Sequence, residues 1–172
     1  MELNLSKTLV VGDYKSFGDP LYIGLSSFIE GLVAGNHEVL RFDVLGKRIG
    51  PCDDCASCNT NEFPCSYLDD FNCLASELLE AEAFVLFAEG DFSKALLNAL
   101  AKFRAFSTKA KSKPHLKKVY LVYSGTESGE KKNFVPWIIA LLSIAPGETQ
   151  AFRFDAIGES ENAFLKDLGL KL

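Results

Sequence analysis

Basic charge is scarce in this chain. Of 172 residues, 18 are Lys or Arg against 23 Asp or Glu, for a net charge of −5. That balance argues against a nucleic-acid or anionic-membrane partner, since both need clustered Lys and Arg. The one basic run, residues 109–118, is broken by Pro114 and reads as a solvated loop. Long hydrophobic runs are missing as well. The longest, residues 134–145, is too short to span a bilayer. It reads as a buried helix whose Trp137 belongs to the core or to a dimer contact. The first residues lack a basic segment followed by an apolar core, so no signal peptide is visible and a cytoplasmic location is expected. Histidine occurs only as His37 and His115. Each lies at the amino end of an expected strand, the wrong end for a ligand site, and both are expected to face solvent. No Gly-x-Gly-x-x-Gly, Ser-His-Asp order or paired-carboxylate pattern is present.

What the chain does have is enough apolar material, 48% of residues with fourteen Phe, to fill the core of one domain spanning residues 1–172. Short continuous apolar runs, such as Thr8-Leu9-Val10-Val11-Gly12 and Ala83-Phe84-Val85-Leu86-Phe87, mark central parallel strands buried on both faces. Further strands are expected over residues 38–43, 117–123 and 150–156, the first of them with the partial alternation of an edge strand. Helical spacing alternates with them. Asp19-Pro20 reads as cap and first position of a helix whose inner face is Leu21, Leu25, Phe28, Ile29 and Leu32. Asp69 or Asp70 caps a second helix, with Phe71, Leu74 and Leu78 inward and Cys73 outward. Residues 93–106, 133–144 and 159–168 complete five helices. Strict alternation predicts an α/β fold, a doubly wound five-stranded parallel sheet in three α/β/α layers. The flavodoxin-like strand order 2-1-3-4-5 is expected.

Four of the five cysteines fall in one loop, at about residues 46–68, after the second strand: Cys52, Cys55, Cys58 and Cys65. Two-residue gaps can point several sulfurs inward from one turn, which suits an iron–sulfur cubane or a tetrahedral zinc. The same residues also read as reduced, partly buried thiols that hold the loop by packing. Disulfide formation on purification is a third outcome. Asp53 and Asp54, inside the motif, are expected to make free thiolates less reactive.

The motif Pro51-Cys52-x-x-Cys55-x-x-Cys58, then Cys65-x-x-x-Asp69-Asp70, then residues 78–83 leading into the third strand, resembles the flavodoxin-like NAD(P)H-dependent FMN reductases. The resemblance is to the branch with a cysteine-rich loop, which includes the iron–sulfur flavoproteins. It implies FMN at the carboxyl ends of strands one, three and four, with NAD(P)H as co-substrate, a 4Fe-4S cluster or zinc on the four cysteines, a small-molecule electron acceptor and a homodimer. Carried onto this chain, the resemblance puts the phosphate against Lys15, Ser16 and Gly18 at a helix amino terminus. The ring would meet Glu89, Gly90, Asp91 and Phe92 in the third-strand loop and Ser124, Gly125, Thr126 and Gly129 in the fourth. The chain departs from the family pattern in the acids that enter these loops, namely Asp13, Asp19, Glu89, Asp91 and Glu127. Asp19, as a helix cap, competes for the N–H groups a phosphate would use.

Two functions follow. One is an FMN-dependent NAD(P)H oxidoreductase passing electrons to a small acceptor. The other is a flavin-free module of the same fold, responding to metal or redox state through its cysteines.

Overall fold

The computed structural model describes residues 5–55, 65–89, 92–109, 114, 116–124, 148–154 and 157–172. Cys58, Gly90, Asp91, His115, Gly125, Thr126, Glu127, Gly129 and Trp137 lie outside the described residues, as does the helix expected over residues 133–144.

The strands are β1 (Lys7–Asp13), β2 (Glu38–Asp43), β3 (Ala83–Glu89), β4 (Lys118–Ser124) and β5 (Glu148–Phe154). They form one parallel sheet in the order β2-β1-β3-β4-β5, as expected. The helices are α1 (Pro20–Ala34), α2 (Phe71–Glu80), α3 (Lys94–Lys109) and α4 (Glu159–Leu170). Apolar runs make central strands because every side chain meets a helical layer: in β3 all positions but Glu89 are buried. The edge strand β2 buries only Phe42.

Side-chain alternation divides the core into two layers. Leu9, Val11, Phe84, Leu86 and Leu121 point to the α2–α3 side, where they meet Phe71, Leu74, Leu96 and Phe103. Val10, Val85, Phe87 and Val122 point to the α1–α4 side, against Leu25, Phe28 and Leu165. Phe28 and Phe87 have ring centroids 5.4 Å apart, and a fully buried Phe of this kind contributes about 2–3 kcal/mol. On that side α1 and α4 approach so closely that a Cβ on Gly31 would lie 2.0 Å from the Lys166 carbonyl oxygen. One on Gly169 would lie 2.3 Å from that of Phe28. These glycines are in the chain because two backbones touch there.

The expected inner face of α1 holds, with Leu21, Leu25, Phe28 and Leu32 buried and Ile29 packed at its edge. Cys73 is exposed, as its helical position predicts. His37 departs from expectation. It enters β2 partly buried, with Nδ1 sealed from solvent and no hydrogen-bond partner. The cause is local: Gly35 ends α1, Asn36 takes the left-handed conformation (φ 61°), and the chain turns the imidazole back onto the helix end. Among the described residues no helix is long and apolar enough to cross a membrane.

Candidate functional site at the carboxyl edge of the sheet

Parallel register decides which strand ends meet. Asp13 pairs with Ala88 across β1 and β3, and Glu89 with Ser124 across β3 and β4. Glu89 and Ser124 therefore stand side by side on the carboxyl edge, with Asp13 one residue back at the end of β1, where open α/β sheets hold ligands.

The first loop runs from Asp13 to the α1 cap. Asp19 has an extended backbone (φ −67°, ψ 134°), and its Oδ1 accepts the Leu21 N–H at 2.9 Å. Its Oδ2 receives the Lys15 N–H at 3.4 Å. Pro20 has no N–H to offer. The Lys15 ammonium turns toward Glu89 and forms an ion pair that links the β1 and β3 loops. That pair raises the Lys15 pKa. Ser16 uses its carbonyl to accept the Asp19 N–H at 3.1 Å, while Gly18 has open space around its Cα.

Asp13 is nearly buried, and its Oδ2 accepts the Ser93 N–H at 2.8 Å. Burial raises its pKa above the ordinary carboxylate value, with the Ser93 bond working against the rise. Ser93 in turn caps α3, its Oγ accepting the Leu96 N–H at 3.1 Å. Phe92 is half-buried and packs against the α2–α3 core. A second aromatic surface was missed by sequence reasoning. Tyr14, Phe17 and Tyr22 form a cluster with centroids 5.0 to 5.9 Å apart, and Phe17 is 66% exposed beside the first loop. Arg41 from β2 lies 5.2 Å over the Tyr22 ring and pairs with Asp43 at 2.9 Å. The available signal was Tyr14-x-x-Phe17, three apart in a loop and near Tyr22 on the first helical turn.

This donor set fits a flavin unevenly. A ring has an aligned strand edge at Glu89 and Ser124 and exposed aromatic surface at Phe17. A phosphate has Lys15 and Ser16 at the expected place, but Asp19 already holds the Leu21 N–H and Glu89 holds the ammonium. At most the Tyr22 N–H of the first turn is left for an anion.

The cysteine loop starts where β2 ends, and the Val44 N–H continues the ladder by donating to the Gly12 carbonyl at 2.8 Å. Its entry is fastened to α2 and α3. Of the two expected caps, Asp69 and Asp70, it is Asp69 that caps α2, and it does three jobs. Its Oδ1 caps α2 by accepting the Phe71 N–H at 3.0 Å, and its Oδ2 accepts the Gly50 N–H at 2.9 Å. The same Oδ2 pairs with the Lys102 ammonium at 2.5 Å. Asp70 accepts the Arg48 N–H at 2.6 Å, and Asn98 donates to the Ile49 carbonyl at 2.7 Å. A cleft of about 570 Å³ lies over this anchor, lined by Arg48 to Pro51, Asp53 and Tyr67 to Asp69.

Cys52 and Cys65 are half-buried free thiols, and Cys55 is half-buried between them in sequence. The Cys55 sulfur sits 3.5 Å from Ser66 Oγ. The Asp53 carboxylate accepts the Tyr67 hydroxyl at 2.7 Å and the Cys55 N–H at 3.2 Å. The Tyr67 bond lowers the Asp53 pKa. Among the described residues no group of three or more His, Cys, Asp or Glu is placed to hold a metal ion, and Cys58 lies outside them.

No family model matches this chain, and no curated protein matches it in sequence. Solved structures do match in shape. An NAD(P)H:quinone oxidoreductase from Methanothermobacter marburgensis is 12% identical with a TM-score of 0.59, the match covering 97% of this chain and 94% of that one. An azoreductase from Bacillus anthracis str. Sterne is 14% identical with a TM-score of 0.59, covering 97% and 96%. A flavodoxin from the domain Archaea is 14% identical with a TM-score of 0.56, covering 96% and 94%. Likeness at this level of identity speaks for architecture alone: the chain adopts the flavodoxin-like fold over nearly its whole length.

Proposed function

We propose that this chain is an FMN-dependent NAD(P)H oxidoreductase that passes electrons to a small acceptor. The observation that carries the reading is the carboxyl edge of the sheet. There β3 and β4 end in register at Glu89 and Ser124, and β1 ends one residue earlier at Asp13, level with Ala88, where the first loop with its exposed Phe17 begins. Solved structures of the same fold include an NAD(P)H:quinone oxidoreductase and an azoreductase, so this architecture is one that accommodates such chemistry.

Bound flavin supplies the electron transfer itself. The chain's own residues bind and orient. Ser124, Glu89 and Phe92 belong to the two loops that would border the ring, together with Gly90, Asp91, Gly125, Thr126 and Gly129. Lys15, Ser16 and Gly18 belong to the loop that would meet the phosphate. Asp13 fixes the start of α3 by holding the Ser93 N–H, so the β1 and β3 loops keep their spacing. No side chain has to move a proton for hydride transfer to proceed.

The visible spectrum of freshly purified protein, before and after adding FMN, tests the reading. Flavin bands, or their appearance with quenched FMN fluorescence on titration, are expected. A colourless protein that leaves added FMN fluorescence unchanged refutes it. That result would favour a second reading, a flavin-free interaction or regulatory module, which the Asp19 cap and the Lys15–Glu89 pair already favour. In either reading Cys52, Cys55, Cys58 and Cys65 are the candidates for an iron–sulfur cluster or zinc. Metal analysis of anaerobically prepared protein decides that occupancy.

A further inference from the structure

We infer that Asp19 is a built-in competitor for the flavin phosphate, so that the phosphate adds no net affinity and the site holds FMN no more tightly than riboflavin. The inference rests on the flavin reading above and concerns which part of the flavin the chain recognises.

The amino end of a helix attracts a phosphate because its first N–H groups lack partners and its dipole end is positive. In α1 all of those groups but the Tyr22 N–H are already committed or missing. Asp19 donates its own N–H to Ser16, Pro20 has none, and Leu21 donates to Asp19 Oδ1 at 2.9 Å. The Asp19 carboxylate also supplies the negative charge that the dipole favours. Lys15 would be the phosphate's cation, but it is engaged by Glu89 across the loop. Asp13, nearly buried at the strand end, adds a third carboxylate beside the same loop. A phosphate with a charge of about −1.5 to −2 would have to displace one carboxylate and remain near two more. Uncharged riboflavin meets none of this opposition, and among the described residues the partly exposed Glu89 and Ser124 and the exposed ring of Phe17 offer surface to its ring.

Fluorescence titration of the full chain with FMN and with riboflavin tests this, using the native protein, Asp19→Asn and Glu89→Gln. Asn caps a helix as well as Asp does, so the first variant keeps α1 and removes only the charge. In the native protein FMN should bind no more tightly than riboflavin. Asp19→Asn should tighten FMN about tenfold, equivalent to about 1.4 kcal/mol, and leave riboflavin within about threefold. Glu89→Gln frees Lys15 and should tighten FMN in the same direction. Added inorganic phosphate should compete with FMN in Asp19→Asn far better than in the native chain. Native FMN binding ten times tighter than riboflavin, or FMN affinity unchanged in both variants, overturns the inference while leaving the oxidoreductase reading intact. If neither flavin binds any of the three proteins, the oxidoreductase reading falls and the inference falls with it. FMN binding gained by the variants alone would uphold Asp19 as the competitor and remove flavin chemistry from the native chain.

Discussion

Replacing Lys102 with Met should be among the most costly single changes outside the central strands. Lys102 is 3% exposed, and its ammonium lies 2.5 Å from Asp69 Oδ2, on a carboxylate itself 15% exposed. The same ammonium stands 5.5 Å from the Phe71 ring centroid and 5.8 Å from that of Tyr67. Met fills the stem's volume and keeps its packing, so the substitution isolates the charge. Removing one partner of a buried pair costs about 3–5 kcal/mol, because the other charge is left uncompensated. Asp69 would keep the Gly50 and Phe71 N–H bonds, which puts the expected loss at the lower end, about 3 kcal/mol. For a chain of this size that is a fall in Tm of about 6–12 °C.

Circular dichroism melts and urea titrations of Lys102→Met, Asp69→Asn and the double variant provide the assay. The double variant should be more stable than the sum of the single losses predicts, because neither charge then remains buried alone. Since Asp69 also fastens Gly50, Lys102→Met should speed the reaction of Cys52, Cys55 and Cys65 with a chromogenic thiol reagent. A Tm change under about 2 °C, or strictly additive losses, would refute the claim that this pair anchors the cysteine loop.

Two further outcomes follow from packing and titration. Gly31→Ala and Gly169→Ala should each cost about 3 kcal/mol, since the added methyl meets a backbone carbonyl of the facing helix that cannot step aside. Gly18→Ala, with open space around it, should stay within about 0.5 kcal/mol in the same urea titrations. Asp13 has a folded-state pKa raised above 3.8 by burial, so between 3.8 and the raised value the folded chain binds more protons than the unfolded one. Stability therefore falls as pH rises through that window, and the loss is complete above it. Asp13→Asn can still accept the Ser93 N–H but carries no charge. Its stability relative to the native protein should rise between about pH 3 and about pH 7, and a constant difference in urea midpoint would count against a buried carboxylate.

Local pattern by itself determined most of the architecture. A run such as residues 83–87 can be satisfied only between two helical layers, and Asp19-Pro20 marks a helix start by chemistry confined to adjacent residues. Alternation then left few topologies, and 2-1-3-4-5 was among them. The spacing of Cys52, Cys55 and Cys65 likewise marked the loop that α2 and α3 hold in place. Charge partners were decided only by the tertiary structure. Asp69 meets Lys102 from 33 residues away, and Asp13 meets the Ser93 N–H from 80. Such pairs depend on which elements pack together rather than on spacing along the chain. A carboxylate in sequence is only a charge with unknown surroundings. Its role as cap, anchor or buried acid is set by the N–H groups and ammonium that folding brings to it, and by the water that folding removes.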